Sequence, residues 1–287
     1  MRLWKDFLET LRMIKFEHTV FALPFAYLGA FIAAGGRPTW HKLIWISLAM
    51  LGARSAAMSF NRLVDLPLDA LNPRTRMRSL PAGRLSPRFV IVFTILALAL
   101  LLYSAFQLNQ LCFLLAPLAV VIIFFYSYTK RFTSLSHLFL GLSLAIAPLG
   151  GWLAVREKLD PLALVLALVV GLWVAGFDII YACQDATFDS AHKLYSLPQT
   201  IGVGPALVVS AVAHMLMIIL LFAMYWQLQL SKLSLAGIVA TSLLIGYEHW
   251  IVRPSDLSRV NTAFFTLNGI ISVLLFLAIG LDLSLLR

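Results

Sequence analysis

The chain has 287 residues, of which 61% are hydrophobic and only 12% are charged, with a formal net charge of +9. Ordinary soluble domains carry about 25% charged residues, so this composition excludes a water-soluble globular protein and indicates a protein of the lipid bilayer. The basic residues are dispersed among loops, without a soluble module to carry them, which argues against nucleic-acid binding.

The first sixteen residues mix charged and apolar positions at helical spacing. They predict an amphipathic helix at the membrane interface and not a cleaved signal peptide. Apolar segments of about 20 residues, long enough to cross a bilayer, follow along the rest of the chain. About nine are predicted, with approximate bounds 19–35, 43–61, 89–107, 110–129, 135–154, 161–182, 203–226, 233–252 and 261–281. Since their connections are short, we expect residues 1–287 to form one domain, an all-α polytopic bundle.

The basic residues predict an orientation in the membrane. With the N-terminus in the cytoplasm, 15 of the 22 lysines and arginines lie on the cytoplasmic side and 6 outside, with Arg54 inside the second span. Cytoplasmic loops are enriched in Lys and Arg. We therefore expect an integral membrane protein with its N-terminus in the cytoplasm, which in a bacterium would lie in the inner membrane.

A first group of polar residues lies at the end of the second span. Asn61, Asp65 and Asp69 are spaced by four, which places their side chains along one face of a helix. Pro67 makes this helix imperfect and favours an end there, with Asp69 in the following loop. That loop carries Arg74, Arg76, Arg78 and Arg84.

A second group repeats the pattern at the end of the sixth span, with Tyr181, Asp185 and Asp189. In the predicted topology both groups lie on the cytoplasmic face. Clustered carboxylates there can hold Mg²⁺, which takes a few carboxylates and completes its octahedron with water and phosphate oxygens. The simpler alternative is that these acids pair with the neighbouring arginines. Acids beside cations suit a diphosphate better than a monovalent ion.

These motifs resemble those of the UbiA superfamily of intramembrane prenyltransferases. The first looks like that family's NxxxDxxxD, the second like its DxxxD with a preceding tyrosine, and Tyr126 and Lys130 look like its YxxxK element in the fourth span. The resemblance covers nearly the whole chain. It implies a bundle of nine helices around a central cavity, open sideways to lipid, with both Asp motifs capping it on the cytoplasmic side.

The resemblance also implies roles for individual residues. Asp65, Asp69, Asp185 and Asp189 would be catalytic and would bind the diphosphate through Mg²⁺. The further diphosphate-binding residues would be Asn61, Lys130, Arg74, Arg78 and Tyr181, with Arg76 and Arg84 as less direct candidates. Tyr126 would stand near the departing diphosphate or the incipient carbocation.

The stretches 16–24 and 177–185 look like the branch called 4-hydroxybenzoate polyprenyltransferase. This implies transfer of a polyprenyl group from polyprenyl diphosphate to an aromatic acid in ubiquinone biosynthesis, with no protein partner. Some similar members act instead on a naphthoate acceptor in menaquinone biosynthesis by the futalosine route, and the sequence leaves both open.

Four residues keep two interpretations each. Glu17 and His18 either line the acceptor site or form an interfacial salt bridge or cap. Asp178 serves either cavity polarity or helix pairing. His192 lies beside the second motif on a predicted loop, with a similarly open role.

Two rival functions remain at this stage. A secondary transporter would bind Na⁺ or H⁺ through acids at the membrane midplane, whereas these acids cluster at one face. A haem-forming or chlorophyll-forming member of the same superfamily would share the diphosphate half of the site but not the acceptor.

Overall fold

The computed structural model describes residues 2–15 and 19–285, and within these ranges its regular structure is helical. The helices are α1 (Arg2–Ile14), α2 (Thr19–Ala34), α3 (Trp40–Val64), α4 (Leu66–Leu71), α5 (Pro87–Leu108), α6 (Gln110–Thr129), α7 (Ser136–Arg156), α8 (Pro161–Ala182), α9 (Ala186–Ala191), α10 (Leu197–Ile201), α11 (Val203–Gln227), α12 (Lys232–Ile251) and α13 (Asn268–Leu285). A π-helical segment, Thr262–Leu267, precedes α13.

The predicted polytopic all-α bundle is confirmed. Seven described helical segments are long and apolar enough to cross a membrane: α3, α5, α6, α7, α8 with its extension to Ala191, α11, and α13 with the π-helical segment. The other two predicted spans correspond to α2, whose apolar stretch Ala22–Ala34 is shorter, and to the 20-residue helix α12.

Polar caps define where several of these helices begin. The side chains of Ser86, Asn109 and Ser231 accept hydrogen bonds from backbone N–H groups in the first turns of α5, α6 and α12. Such caps satisfy donors that have no partner inside the helix. Pro87 and Pro161 stand in the first turns of α5 and α8, where a missing N–H costs no helical hydrogen bond.

Helix α8 is the centre of the bundle. Its Trp173, Val174 and Phe177 are buried in the main hydrophobic core, and Trp173 lies 4.9 Å from Phe25 of α2 between ring centroids. Helix α7 packs on α8 from one side and α11 from the other, while α12 packs against α13. The motif at the C-terminal end of α8 therefore follows the most deeply buried of the seven membrane-length segments.

Both acidic motifs are interrupted where their long helix ends. Helix α3 stops at Val64, and Asp65 links it to the short helix α4, so the expectation that Asp69 lies in a loop is wrong. Pro67 is tolerated in the first turn of α4. After α8 a 3₁₀ turn carries Asp185, and the short helix α9 carries Asp189. Each motif therefore continues from a long helix into a short one.

Candidate active site

The bundle contains a partly open chamber of about 630 Å³. At one end, which we call the site end, it is lined by all four motif aspartates, Asp65, Asp69, Asp185 and Asp189. From there it runs along the whole of α6 to Cys112 near the start of that helix, between apolar side chains of α3, α5 and α7. The chamber is therefore polar at the site end and apolar towards the opposite end.

Asp65 is the centre of the first motif. Its Oδ2 atom accepts hydrogen bonds from Asn61 Nδ2 and from Lys130 Nζ, both at 3.1 Å. Its Oδ1 atom is buried, has no hydrogen-bond partner among the described residues, and lies 3.9 Å from Arg131. A buried carboxylate oxygen without a donor costs free energy unless a cation or another ligand reaches it.

Asp69 lies in a cationic setting. Arg78 Nη1 donates to both of its carboxylate oxygens, at 2.7 and 2.8 Å, and Arg62 Nη1 lies 3.7 Å away. The side chain of Arg62 is only 9% exposed, whereas that of Arg78 is 25% exposed, so the buried carboxylate is paired with one buried and one partly exposed arginine.

Asp185 is hydrogen-bonded to two residues of the loop that follows α4. Arg74 binds it through two guanidinium nitrogens and also donates to the Tyr181 hydroxyl at 2.7 Å, while Asn72 Nδ2 donates to Asp185 at 3.2 Å. Burial lowers the pKa of Arg74, but the hydrogen bonds and charges of Asp185 and Tyr181 outweigh this and raise it above its ordinary value. The two motifs are thus bridged by residues of one loop.

The remaining motif residues complete the site end. Asp189 accepts a hydrogen bond from Ser196 Oγ at 2.8 Å. Tyr126 and Lys130 both line the chamber, one helical turn apart at the end of α6. The structure therefore brings every residue named in the three sequence motifs to a single chamber.

Asp178 combines its two proposed roles. It lines the chamber, and its Oδ2 atom lies 2.7 Å from Nδ1 of His137 on α7. Since His137 Nε2 accepts from the backbone N–H of Leu197 at 3.2 Å, its Nδ1 carries the proton and donates to Asp178. Asp178 both adds polarity to the chamber and pairs α8 with α7.

Other residues named from the sequence lie elsewhere. The His192 ring stacks on Phe188 with 4.0 Å between centroids, and it does not line the chamber. Arg84 pairs with Glu9 of α1 at 3.0 Å instead of facing the chamber, and Arg76 is exposed. Glu17 and His18 lie outside the described residues.

Sequence reasoning missed several chamber residues, among them Arg54, Arg62, Asn72, His137 and Ser196. A charged residue inside an apolar span is a functional candidate by default, so Arg54 and Arg62 carried a usable signal. Asn72, His137 and Ser196 reach the site through tertiary contacts, which no local sequence pattern predicts.

The donor set can be tested for a divalent cation. Among the described residues, no three Asp, Glu, His or Cys side chains form a ready metal cage. The motif carboxylates instead engage basic, amide or hydroxyl groups, with one oxygen of Asp65 left over. Mg²⁺ is usually held by one or two carboxylates together with substrate phosphates, so these residues fit Mg²⁺ that binds with a phosphate ligand.

Comparison with known proteins decides the family, because the UbiA prenyltransferase family matches residues 22–270. The chain belongs to this family. It is accordingly an integral membrane prenyltransferase, and the predicted membership is confirmed.

Individual UbiA relatives agree with this assignment. A 4-hydroxybenzoate octaprenyltransferase of Aliivibrio fischeri (strain ATCC 700601 / ES114) is 28% identical over 251 residues, covering 87% of each chain. A solved apo structure of a UbiA homolog from Aeropyrum pernix K1 is 34% identical, with a TM-score of 0.84, and covers 93% of this chain and 98% of that one.

A second solved UbiA homolog, from Archaeoglobus fulgidus, is bound to GPP and Mg²⁺. It is 23% identical, with a TM-score of 0.77, and covers 96% of this chain and 99% of that one. At this identity the likeness establishes the shared fold.

Proposed function

We propose that this prenyltransferase transfers a polyprenyl group from polyprenyl diphosphate to an aromatic acid of the 4-hydroxybenzoate type, in quinone biosynthesis. The main support for this proposal is the chamber, in which four aspartates and their basic partners lie at one end of a long apolar passage. A polyprenyl diphosphate has the same division between a charged head and an apolar tail. In bacteria the protein would lie in the inner membrane, with the site end facing the cytoplasm as the distribution of basic residues predicts.

The diphosphate would bind at the site end with Mg²⁺ held by Asp65, Asp69, Asp185 and Asp189. The bound ion would neutralise charge on the leaving diphosphate. The UbiA homolog bound to GPP and Mg²⁺ supports this assignment.

The basic residues would then change partners. Arg74, Arg78 and Lys130 bind the motif aspartates directly, so a short side-chain rotation brings each of them to phosphate oxygens. Guanidinium groups bind phosphate oxygens in a bidentate manner, and the ammonium of a lysine acts as a point charge.

In the reaction the allylic C–O bond breaks and its electron pair leaves with the diphosphate. The arginines and the lysine stabilise this growing negative charge. Tyr126 and Tyr181 line the chamber at this end and can present their π faces to the allylic cation. The aromatic ring supplies the electron pair of the new C–C bond and then loses a ring proton, for which the released diphosphate is an available base. The apolar walls exclude water, which would otherwise capture the cation.

Arg54 is our candidate for recognising the acceptor. It lines the chamber on α3, seven residues before Asn61, and therefore about 10 Å deeper than the diphosphate end. A cation within a membrane span is costly, and a carboxylate is a strong bidentate partner for a guanidinium. An aromatic acid with its carboxylate at Arg54 would place its ring between that arginine and the prenyl diphosphate.

The direct test uses membranes that contain the protein, a labelled polyprenyl diphosphate and Mg²⁺, with either 4-hydroxybenzoate or 1,4-dihydroxy-6-naphthoate as acceptor. We expect a prenylated 4-hydroxybenzoate, identified by mass spectrometry, that disappears when a chelator is added. Product from the naphthoate alone would correct the acceptor, and undiminished product with chelator would remove the metal from the proposal.

A variant of Arg54 distinguishes binding of the aromatic acceptor from binding of the prenyl diphosphate. Arg54→Met should raise KM for the aromatic acid and leave KM for the diphosphate near its original value. Arg37→Met is the control, because Arg37 stacks on Trp40 at the start of α3, away from the chamber. An unchanged acceptor KM in Arg54→Met would show that the carboxylate binds elsewhere.

A further inference from the structure

Helix α1 is tied to the loop that carries the site arginines. We call residues 72–86, between α4 and α5, the arginine loop. The described part of α1 packs Met13 and Ile14 against Leu80 and Leu85 of this loop, in a small hydrophobic cluster separate from the main core. The apolar face of this amphipathic helix therefore has a partner within the protein.

A single carboxylate adds a polar tie between the two. Glu9 Oε2 accepts hydrogen bonds from Ser79 Oγ at 2.9 Å and from Arg84 Nε at 3.0 Å. Its other oxygen accepts from Arg12 of the same helix at 2.8 Å. Burial raises the pKa of Glu9, but the hydrogen bonds from Ser79, Arg84 and Arg12 outweigh this and leave the pKa below its ordinary value. The side chain is therefore ionised at neutral pH.

Glu9 is linked to both neighbours of Arg78, to Ser79 directly and to Met77 through Arg84. Ser79, which follows Arg78 directly, is bound to Glu9, and Met77, which precedes it, accepts a hydrogen bond through its carbonyl from Arg84 at 2.7 Å. Arg78 itself extends in the other direction and binds Asp69. Its backbone is thus held from outside the chamber while its guanidinium reaches into the site.

We propose that Glu9 is a positioning residue, which fixes the arginine loop on α1 so that Arg78 meets the diphosphate. This inference rests on the proposed function for its substrate. Without Glu9, the loop would retain its apolar contacts with α1 and its internal hydrogen bonds, but Ser79 and Arg84 would lose the acceptor that fixes them to α1. Binding of the diphosphate would then include the cost of ordering this segment.

The kinetic test compares Glu9→Gln with Arg12→Gln. Both remove a charge from α1, but the Arg12 side chain is 73% exposed and bonds to Glu9 within the helix, not to the loop. We expect Glu9→Gln to raise KM for the polyprenyl diphosphate about three- to tenfold. The acceptor KM should stay unchanged, and Arg12→Gln should resemble the wild type. Equal KM values in Glu9→Gln and the wild type would overturn the proposal.

A second test does not depend on activity. Arg76 is exposed in the arginine loop, so limited trypsin digestion of the protein in nanodiscs reports how firmly the loop is held. We expect cleavage after Arg76, identified by fragment mass, to be several times faster in Glu9→Gln than in Arg12→Gln. Equal cleavage rates in the two variants would contradict a role of Glu9 in holding the loop.

The two tests separate this inference from the proposed function. Faster cleavage in Glu9→Gln, in a protein whose wild type transfers no prenyl group, would support the tie and refute the reaction. Normal prenyl transfer with unchanged cleavage and unchanged KM would support the reaction and refute the tie.

Discussion

The two carboxylate oxygens of Asp65 have different surroundings. One binds Asn61 and Lys130, while the other is buried without a hydrogen bond among the described residues. Asp65→Asn keeps the size of the side chain and removes the charge that a hard divalent cation needs. We expect kcat/KM to fall at least about 100-fold, with the thermal midpoint changed only a little.

The matched control for this prediction is Asp160→Asn. Asp160 pairs with Arg156 at 3.0 Å, in the connection between α7 and α8 at the other end of the bundle. Steady-state kinetics and thermal unfolding of both variants are the measurements. Near-normal turnover in a well-folded Asp65→Asn protein would show that the metal is held elsewhere.

Lys130 allows a second prediction at this scale. Its ammonium binds Asp65 at 3.1 Å, and its side chain is one third exposed, so it is able to reach a bound diphosphate. Lys130→Ala should raise KM for the polyprenyl diphosphate or lower kcat, with the acceptor KM unchanged. Lys130→Arg should restore part of the loss, since its wider fork does not reproduce a compact ammonium. Unchanged diphosphate constants in Lys130→Ala would make Lys130 a membrane-side anchor.

The two Asp motifs could be read from the sequence because their residues are spaced by helical turns, whereas Tyr126 and Lys130 were named through the resemblance to UbiA proteins. Asn61, Asp65 and Lys130 meet at the ends of two neighbouring helices, as repeated i, i+4 spacing at span ends suggests. Asn72 and Ser196 could not be found in this way. They lie in irregular connections, and their positions are set by turns and loop contacts instead of periodicity.

At the scale of elements, the apolar spans and most of their ends were predictable, since the predicted bounds 110–129 and 161–182 are those of α6 and α8. A run of apolar residues fixes a membrane helix because every backbone polar group must be satisfied within it. The short helices α4 and α9 that follow α3 and α8 were not predicted, because hydropathy does not report a six-residue helix at the end of a span. Hydropathy does not report the tie between α1 and the arginine loop either.

The π-helical segment before α13 is another feature without a sequence signal. Its Phe264 ring lies 4.2 Å from the Tyr181 ring between centroids, and both rings line the chamber. Asn268 supports this segment. Its Oδ1 atom accepts from Trp173 Nε1 at 2.7 Å, and its Nδ2 atom donates to the Ala263 carbonyl at 3.0 Å. The buried amide of Asn268 therefore stabilises the segment that contributes an aromatic ring to the chamber wall.

This arrangement predicts that Asn268→Leu destabilises the protein by about 1–3 kcal/mol, because the buried indole N–H and the Ala263 carbonyl lose their partner. Thr266→Ala is the control, since Thr266 lies on the same segment and is exposed. The measurement is the free energy of unfolding in detergent. A stability equal to that of the control variant would mean that the amide network is replaceable.

At the scale of the whole molecule, close helix contacts determine whether the chamber exists. Helices α2 and α7 touch through their backbones: a Cβ atom at Gly151 would overlap the carbonyl oxygen of Ala26, and one at Gly29 would overlap that of Pro148. Since the walls of the chamber include residues of both helices, any separation of α2 and α7 changes its shape.

Two adjacent glycines give a sharp test of this packing. Gly151→Ala should destabilise the protein by about 1–3 kcal/mol through overpacking. Gly150→Ala should be neutral or stabilising by up to about 1 kcal/mol, because a Cβ there meets no atom within 4 Å and alanine favours the helix. Thermal unfolding of both variants in detergent is the comparison. Equal midpoints would show that α2 can retreat without cost.

The chamber is built asymmetrically. Among the described residues, those of α11 and α12 contribute nothing to its walls, although α11 packs on α8 and α12 on α13. Substrate choice should therefore depend on the helices up to α9, the loop that follows α9 and the π-helical segment that carries Phe264, while the hairpin α11–α12 contributes through packing. We expect chimeras that exchange this hairpin between members of the family to keep the preference of the recipient, and directed evolution of new acceptors to succeed without changing it.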